Sequence, residues 1–578
     1  MIKINNLNKR NSILESRISF LVLFTMILVG LYSILFFAKS VLDHKSISVL
    51  AKQQYIIEKQ IPYQRGIIYF RDGKDLDSYY PMALNEDKYQ LLVVPKNIND
   101  SLGTAKKLSE IIEKDYLEIH KLIDNDKLYI PPIAKKMSKD KALKILSLNL
   151  SGVLIMTQQN RLYPEDNLAS QILGFVDAEN IGRYGLEGHY DNELIGKSGE
   201  VVAEKDILGR FISIGSQIDA KDGANIYTTI DRNIQYMSNY FLKEAIKNMD
   251  AQKGSMVVVN AKTGGVVSMV SLPDFDPNRY YEVAEEHPEY FMNPVVSSAW
   301  EPGSVMKPIV MSMAMDLGLV EPETRERFGG NVWIQGYEIR NAMNRTFGDQ
   351  NMSEVLQNSD NIAMTWLSKK MSKDEMMEYF QKFGFGEKTK IDLDAEATGH
   401  VLNINDWREI SQATMSFGQG ISVTPIQLVM AYSALVNEGK LMQPYIVDKI
   451  VKQNGEVIAT QPNVIRQVIT NDTSSKIKNM LKETIERGYD IAGNIKGYDV
   501  GGKTGTAQIP KKDGPGYEDN SQLVHTFCGY IPVDDTDYVV LIVLDRPKKH
   551  NFASDTTAPV FADFAKWILN YLEIKPKS

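Results

Sequence analysis

Three short constellations in this 578-residue chain combine residue types and spacings that could do covalent chemistry. The first is Ser304-x-x-Lys307, set behind a Pro302-Gly303 turn and ahead of an apolar run through Ile309, Val310, Met311, Met313 and Met315. If that run is a helix, the serine and the lysine share one face within side-chain reach. Pro308 then falls in the first turn, where its missing N–H costs nothing. The run is apolar nearly all round, which predicts a buried helix. Burial disfavours an ammonium, and a neutral lysine amine can take the proton of a neighbouring hydroxyl. Ser304 therefore reads as an activated nucleophile and Lys307 as its base.

Spacing alone is not enough, since Ser138/Lys141 and Ser475/Lys478 repeat it in charged stretches that read as solvated surface. What sets Ser304 apart is company in a fixed order. Ser359-Asp360-Asn361 follows, and then Lys503-Thr504-Gly505-Thr506, flanked by Gly502 and Ala507. A second Lys262-Thr263-Gly264 precedes the nucleophile and reads as a hairpin turn. Ser-x-x-Lys, Ser-x-Asn and Lys-Thr-Gly in this order resemble the signature set of penicillin-binding proteins and serine β-lactamases.

The elements that must position these residues begin at the N-terminus. Ile18 through Ala38 carries no charge and is long enough for the ~20 residues that span a bilayer. Lys3, Lys9, Arg10 and Arg17 outweigh Glu15 before it, which predicts a cytoplasmic tail over 1–17 and an anchor over 18–38. The rival is a cleaved signal peptide, with Ala38-Lys39-Ser40 as a loose cleavage site, but the apolar run is too long for a typical signal core. Everything after Lys39 is then expected outside the cytoplasm, facing away from a bacterial plasma membrane. Between 39 and 225, short strand-like runs alternate with lysine-rich helical ones. Leu91–Val94 before Pro95 reads as a strand and Ser109–Asp124 as an exposed helix. No catalytic constellation lies there, so the segment reads as a pedestal.

From 226 to 578 the texture changes. Ile226–Asp231 reads as an entry strand, and Ser255–Val259 with Val266–Ser271 as a hairpin. Strands around Lys503, Leu523–Ile531 and Tyr538–Leu544 come late, and Ala558–Leu572 is an amphipathic helix. Helices between an early hairpin and late strands predict an α+β domain, an antiparallel sheet sandwiched by helices. With 43% hydrophobic and 24% charged residues, the composition is that of a globular protein. A net charge of −8 gives no electrostatic case for nucleic acid. A single cysteine, Cys528, excludes internal disulfides and reads as a small buried apolar group. Seven scattered histidines form no ligand pair, so neither a metal nor a cofactor is expected. Met306, Met311, Met313 and Met315 read as core, and Trp300 as packing.

Further pieces sharpen the resemblance to class B penicillin-binding proteins, from about residue 60 to the end. They are Arg65-Gly66-Ile67-Ile68, Arg161-Leu162-Tyr163-Pro164, and Tyr184-Gly185-Leu186-Glu187 with Tyr190, Leu194, Gly196 and Gly199. Phe417-Gly418-Gln419-Gly420, Thr424-Pro425-Ile426-Gln427 and Ala431 to Gly439 match the same group. Two departures stand out: Phe70 replaces a usual aspartate, and the segment after Pro164 lacks a usual glycine.

The resemblance implies the penicillin-recognising transpeptidase fold on a dimerisation-like pedestal, and a monofunctional peptidoglycan D,D-transpeptidase, division-type more than elongation-type. It implies that Ser304 attacks a D-Ala-D-Ala bond with Lys307 as base, and that Lys503 depresses Lys307 by like-charge repulsion. Ser359 would relay the proton to the leaving amine, and Asn361 would hold Lys307 and the substrate backbone. The N–H groups of Ser304 and Thr506 would form the oxyanion hole. Thr504 and Thr506, with Lys503, would take the substrate carboxylate, and Gly505 would let the substrate lie close. Asp360 receives no role. The implied partners are peptidoglycan stem peptides, β-lactams as inhibitors, the membrane, a SEDS-family polymerase and other division proteins. A glycosyltransferase module is not expected, because Glu86-Asp87 leads into a stretch lacking that module's Phe and His. The alternatives are a D,D-carboxypeptidase, a β-lactamase, or a non-catalytic division scaffold. Glu396 before Leu402-Asn403 has the wrong spacing for a class A β-lactamase, and a scaffold need not keep every motif residue intact.

Overall fold

The computed structural model describes residues 2–42, 56–73, 77–205, 211–511, 513–514, 516–519 and 522–577. The chain divides into two compact units, residues 1–63 with 196–222, and residues 64–195 with 223–578. The first contains helix α1 (Ile2–Phe37). Its Glu15–Ser40 stretch has a mean hydropathy of 2.6, long and apolar enough to cross a membrane, and leaves Phe20, Met26 and Phe36 exposed. The same unit holds a three-stranded antiparallel sheet of Ile56–Ile61, Gly199–Lys205 and Phe211–Ile218.

The second unit has two principal sheets. In the first, strands β1 (Ile68–Arg71), β2 (Tyr79–Val93), β3 (Val153–Leu162) and β4 (Asn225–Asp231) are joined by Ala134–Met137, Val447–Val451 and Val457–Ala459. β1 pairs antiparallel with β2 on one edge and parallel with β4 on the other, where Ile68 faces Ile226. Its alternate residues Ile68 and Phe70 are fully buried, as period-two alternation requires. Phe70 thus stands in an apolar core, where an aspartate would be an unpaired buried charge.

Arg65, Arg161 and Glu187, from the N-terminal stretches singled out above, converge on one another. Glu187, fully buried, is held by Arg65 at 2.8 Å and Arg161 at 2.7 Å, while Arg65 also reaches Asp191 at 2.7 Å. Charge-assisted pairs of this kind are strong only while every member remains. The helix expected over Ser109–Asp124 is two helices, Ser101–Ile112 and Tyr116–Ile123. Glu113 turns left-handed at φ 58, and Asp115 caps the second helix by accepting from Leu117 N. Nor is the pair wholly exposed, since Leu108, Ile119 and Ile123 are buried.

The C-terminal half is built on helices α2 (Arg232–Met249), α3 (Lys307–Asp316), α4 (Asn361–Ser368), α5 (Pro425–Val436), α6 (Asn471–Arg487) and α7 (Thr557–Tyr571). Its sheet comprises β5 (Lys253–Asn260), β6 (Val266–Leu272), β7 (Gly501–Gln508), β8 (Leu523–Val533) and β9 (Thr536–Asp545), in the order β6-β5-β9-β8-β7 and antiparallel throughout. Both faces are covered, so these strands are apolar on both sides. Met256, Val258, Val540 and Ile542 pack with Leu242 of α2 and Phe561 and Phe564 of α7. Val257, Val259, Val539 and Leu541 pack on the other side with α3 and α5. Helix α5 is buried along its whole length and starts at a capping box, Thr424 with Gln427. Cys528 is buried on β8, and Met306, Met311, Met313 and Met315 are core.

Candidate active site

Ser304 lies in a 3-10 turn, Gly303–Met306, that leads into α3 rather than in the helix itself. The turn forms because Gly303 sits at φ +63, a conformation that side-chain-bearing residues resist. It is pinned from several directions. Gly303 N donates to Gly418 O at 3.1 Å, Trp300 and Val423 exchange backbone bonds at 3.1 and 3.0 Å, and Tyr432 of α5 donates its hydroxyl to Val305 O at 2.7 Å. Strand β7 closes the remaining side: a Cβ on Gly505 would fall 2.8 Å from Pro302 O. Among the described residues nothing hydrogen-bonds the Ser304 hydroxyl, which is partly exposed.

Lys307 opens α3 with Pro308 beside it and is fully buried. Its Nζ donates to Ser359 O at 2.6 Å and to Ser359 Oγ at 3.0 Å. The lysine is pushed well below its ordinary value, first by burial and then by the charge of Lys503; Asp360 and Asp490 pull the other way. Ser359 holds the meeting point from a left-handed backbone at φ 54, a conformation concentrated at functional sites.

The second motif is held in place by its middle residue. Asp360 is fully buried and caps α4, accepting from Ile362 N and Ala363 N at 2.8 and 2.9 Å and from Gln350 Nε2 at 2.9 Å. The sequence reading gave it no role, although an aspartate directly before an apolar helical run is a cap signal. Asn361 is turned elsewhere than expected: its Nδ2 donates to Arg340 O at 3.0 Å, with no hydrogen bond to Lys307 among the described residues.

In the third motif the structure brings in a residue that sequence reasoning missed. Asp490, in the loop after α6 and 1% exposed, takes Lys503 Nζ at 2.7 Å, Thr504 N at 3.1 Å, and the Thr504 hydroxyl. The Thr506 hydroxyl accepts from Ala553 N at 3.1 Å. A cavity of about 780 Å³ opens nearby, lined by Trp300, Glu301, His400 and Gln508 but by none of the motif residues. Trp300 also packs against the main core. Taken together, a partly exposed hydroxyl, a buried low-basicity amine and a second hydroxyl bonded to it are the parts needed for covalent acyl transfer with proton relay.

Residues 254–566 match the penicillin-binding protein transpeptidase domain, and residues 60–228 match the penicillin-binding protein dimerisation domain. Stage V sporulation protein D of Bacillus subtilis strain 168 is 34% identical over 548 residues, covering 92% of this chain and 82% of the relative. Peptidoglycan D,D-transpeptidase FtsI of Escherichia coli K12 is 27% identical over 530 residues, covering 90% and 85%. Among solved structures, penicillin-binding protein 3 from Mycobacterium tuberculosis complexed with aztreonam matches with a TM-score of 0.69 at 24% identity, covering 90% of this chain and 98% of that one. At that identity the likeness is one of fold.

Proposed function

Because this chain belongs to the penicillin-binding protein transpeptidase family, we propose that Ser304 is its nucleophile and Lys307 the base that activates it. The enzyme is a peptidoglycan D,D-transpeptidase that works through a serine acyl-enzyme. The observation that carries the residue assignment is the burial of Lys307 with its amine on the Ser359 hydroxyl.

The steps follow from that contact. Neutral Lys307 takes the Ser304 proton as the serine oxygen bonds to the carbonyl carbon of the D-Ala-D-Ala bond. The oxyanion is received by the N–H groups of Ser304 and Thr506. The proton passes from Lys307 through Ser359 to the nitrogen of the departing D-alanine, the C–N bond breaks, and an ester on Ser304 remains. The amine of a neighbouring stem peptide then attacks the ester and gives up a proton by the reverse route. A new peptide bond forms and Ser304 is regenerated. β7 is the last strand of its sheet, so an extended stem peptide can lie along its edge; Gly505, expected to clear that approach, instead makes room for Pro302 and Val305 of the turn that carries Ser304. Thr506, with Lys503, faces the substrate carboxylate in this reading, and Asn361 the substrate backbone; the Thr504 hydroxyl, expected to join them, donates to Asp490 instead.

The same reading takes 18–38 as a single-pass anchor with a cytoplasmic N-terminus, 39–225 as a docking pedestal and 226–578 as the transpeptidase domain. Support for the anchor is the apolar helix preceded by Lys3, Lys9, Arg10 and Arg17. Glycan strands would come from a SEDS-family polymerase bound through anchor and pedestal, and the work would be done at division. One observation favours a second setting: the 34% identical relative is by name a sporulation protein, which suits the same chemistry used during spore formation. Depletion read as filamentation or as failed spores separates the two.

The decisive experiment is labelling with a fluorescent penicillin followed by mapping of the modified peptide. Ser304→Ala stays folded and loses the label. Label that persists in that variant, or that maps to Ser138 or Ser475, overturns the assignment. Cross-linking of pre-formed glycan strands by the purified chain separates a transpeptidase from a carboxypeptidase. Polymerisation of lipid-linked precursor by the purified chain alone would end the monofunctional reading.

A further inference from the structure

Among the described residues Asp490 is the one buried acid hydrogen-bonded to the third motif, and the family-type roles of Lys503 and Thr504 make no use of it. Lys503 and Asp490 are each 1% exposed, and their charged atoms stand 2.7 Å apart. The same carboxylate accepts the Thr504 amide at 3.1 Å and the Thr504 hydroxyl. A carboxylate accepting three bonds in a dry site fixes the rotamers of both motif residues. It also places a counter-charge on the ammonium that Lys307 faces.

We propose that Asp490 is a positioning residue of the active centre: its carboxylate holds Lys503 and Thr504 in place and supplies the counter-charge to Lys503. This rests on the reading of Ser304 and Lys307 given above. Among the described residues, these titratable groups act on one another here. Lys307 comes from α3, Asp360 from the start of α4, Tyr432 from α5, Asp490 from the loop after α6, Lys503 from β7 and Cys528 from β8. Burial drives the Tyr432 hydroxyl and the Cys528 thiol far up, so both stay neutral. The charge balance around Lys307 is therefore one cation, Lys503, against two carboxylates, Asp360 and Asp490. Asp360 is committed to capping α4. Asp490 is the member whose removal leaves Lys503 uncompensated.

The sign follows directly. Loss of the Asp490 charge makes Lys307 harder to protonate, so the neutral base survives to lower pH. The test is the second-order rate constant for benzylpenicillin acylation of the full-length protein, measured across pH. Asp490→Asn keeps an acceptor toward Thr504 and removes the charge. Its acidic limb is expected to move to lower pH, the direction that loss of a neighbouring negative charge dictates. Asp490→Thr, a smaller uncharged residue, should move it the same way, and Asp490→Glu, which restores the charge, should leave it near the wild-type position. A limb that stays in place in either uncharged variant while the rate falls evenly at all pH values would make Asp490 a structural residue only and overturn the proposal. If neither uncharged variant folds, Asp490→Glu decides alone: a limb displaced despite the retained charge overturns it. Failure of the parent reading looks different, as wild-type protein would then carry no label on Ser304.

Discussion

Replacing Lys307 by methionine separates the chemistry of the site from its packing. The side chain is fully buried, and methionine is similarly long, flexible and tolerant of irregular space. What disappears is the amine. If Lys307 is the base, acylation of Ser304 loses the ~10²–10⁴-fold that a positioned general base supplies. At ~1.36 kcal/mol per tenfold, that is about 2.7–5.4 kcal/mol of transition-state stabilisation. Stability gives a second, independent readout. Lys307 lies well below its ordinary value of 10.5, so between its folded and unfolded values the unfolded chain holds more protons than the folded one. Wild-type stability therefore rises with pH across that window, by up to ~1.4 kcal/mol per pH unit, and levels off above 10.5. In the methionine variant this contribution to the slope vanishes. Absolute stability is a poorer guide, since Ser359 O loses its donor at a cost of ~1–3 kcal/mol. The assay is stopped-flow acylation with a fluorescent penicillin, paired with chemical unfolding at a series of pH values below the unfolded lysine value. Acylation within tenfold of wild type would place the base elsewhere, and an unchanged slope would mean that Lys307 is protonated in the fold. Lys307→Arg is the companion variant: it keeps the charge but cannot be deprotonated, and should be equally inactive.

Gly418→Ala should damage catalysis without touching a motif. Gly418 has φ +81, and a Cβ there would lie 2.2 Å from Gly303 O, so the turn carrying Ser304 must move. A backbone cost of ~1–3 kcal/mol is expected, with acylation slowed ~10²-fold if the nucleophile shifts by about 1 Å; wild-type acylation in a folded variant would refute the pinning role. Glu187→Gln should destabilise by ~3–5 kcal/mol, because Arg65 and Arg161 lose their shared buried counter-charge. A loss below ~1 kcal/mol in equilibrium unfolding would show that Asp191 alone suffices for Arg65.

The Ser304, Ser359 and Lys503 motifs stood out as candidates because acyl transfer demands particular side chains at fixed spacings, and local sequence records both. The early hairpin, the late strands and the last helix were legible from hydrophobic period. Asp490 was not, since it lies 13 residues before Lys503 in a loop with no period, and only the tertiary fold brings its carboxylate to the motif. The break at Glu113 escaped because apolar spacing continues across a single left-handed residue. The insertion of β1 between β2 and β4 escaped for a different reason. Period two reports which face of a strand is buried, never which strand lies beside it.

That insertion has a consequence in time. Ile67 N is hydrogen-bonded to Asn225 Oδ1 across 158 residues of sequence, at the start of the parallel pairing of β1 with β4. At synthesis rates of ~5–20 residues per second, β1 exists for roughly 8–30 s before its second neighbour has been made. Through that interval β2 is ready to pair, but the opposite edge of β1 is a bare row of amides and carbonyls with Ile68 and Phe70 behind it. A ribosome pause, a slow exporter or a crowded translocation channel lengthens the wait. A chain begun at residue 226 meets the mirror-image problem, for its β4 emerges next to a place in the sheet that nothing will ever fill.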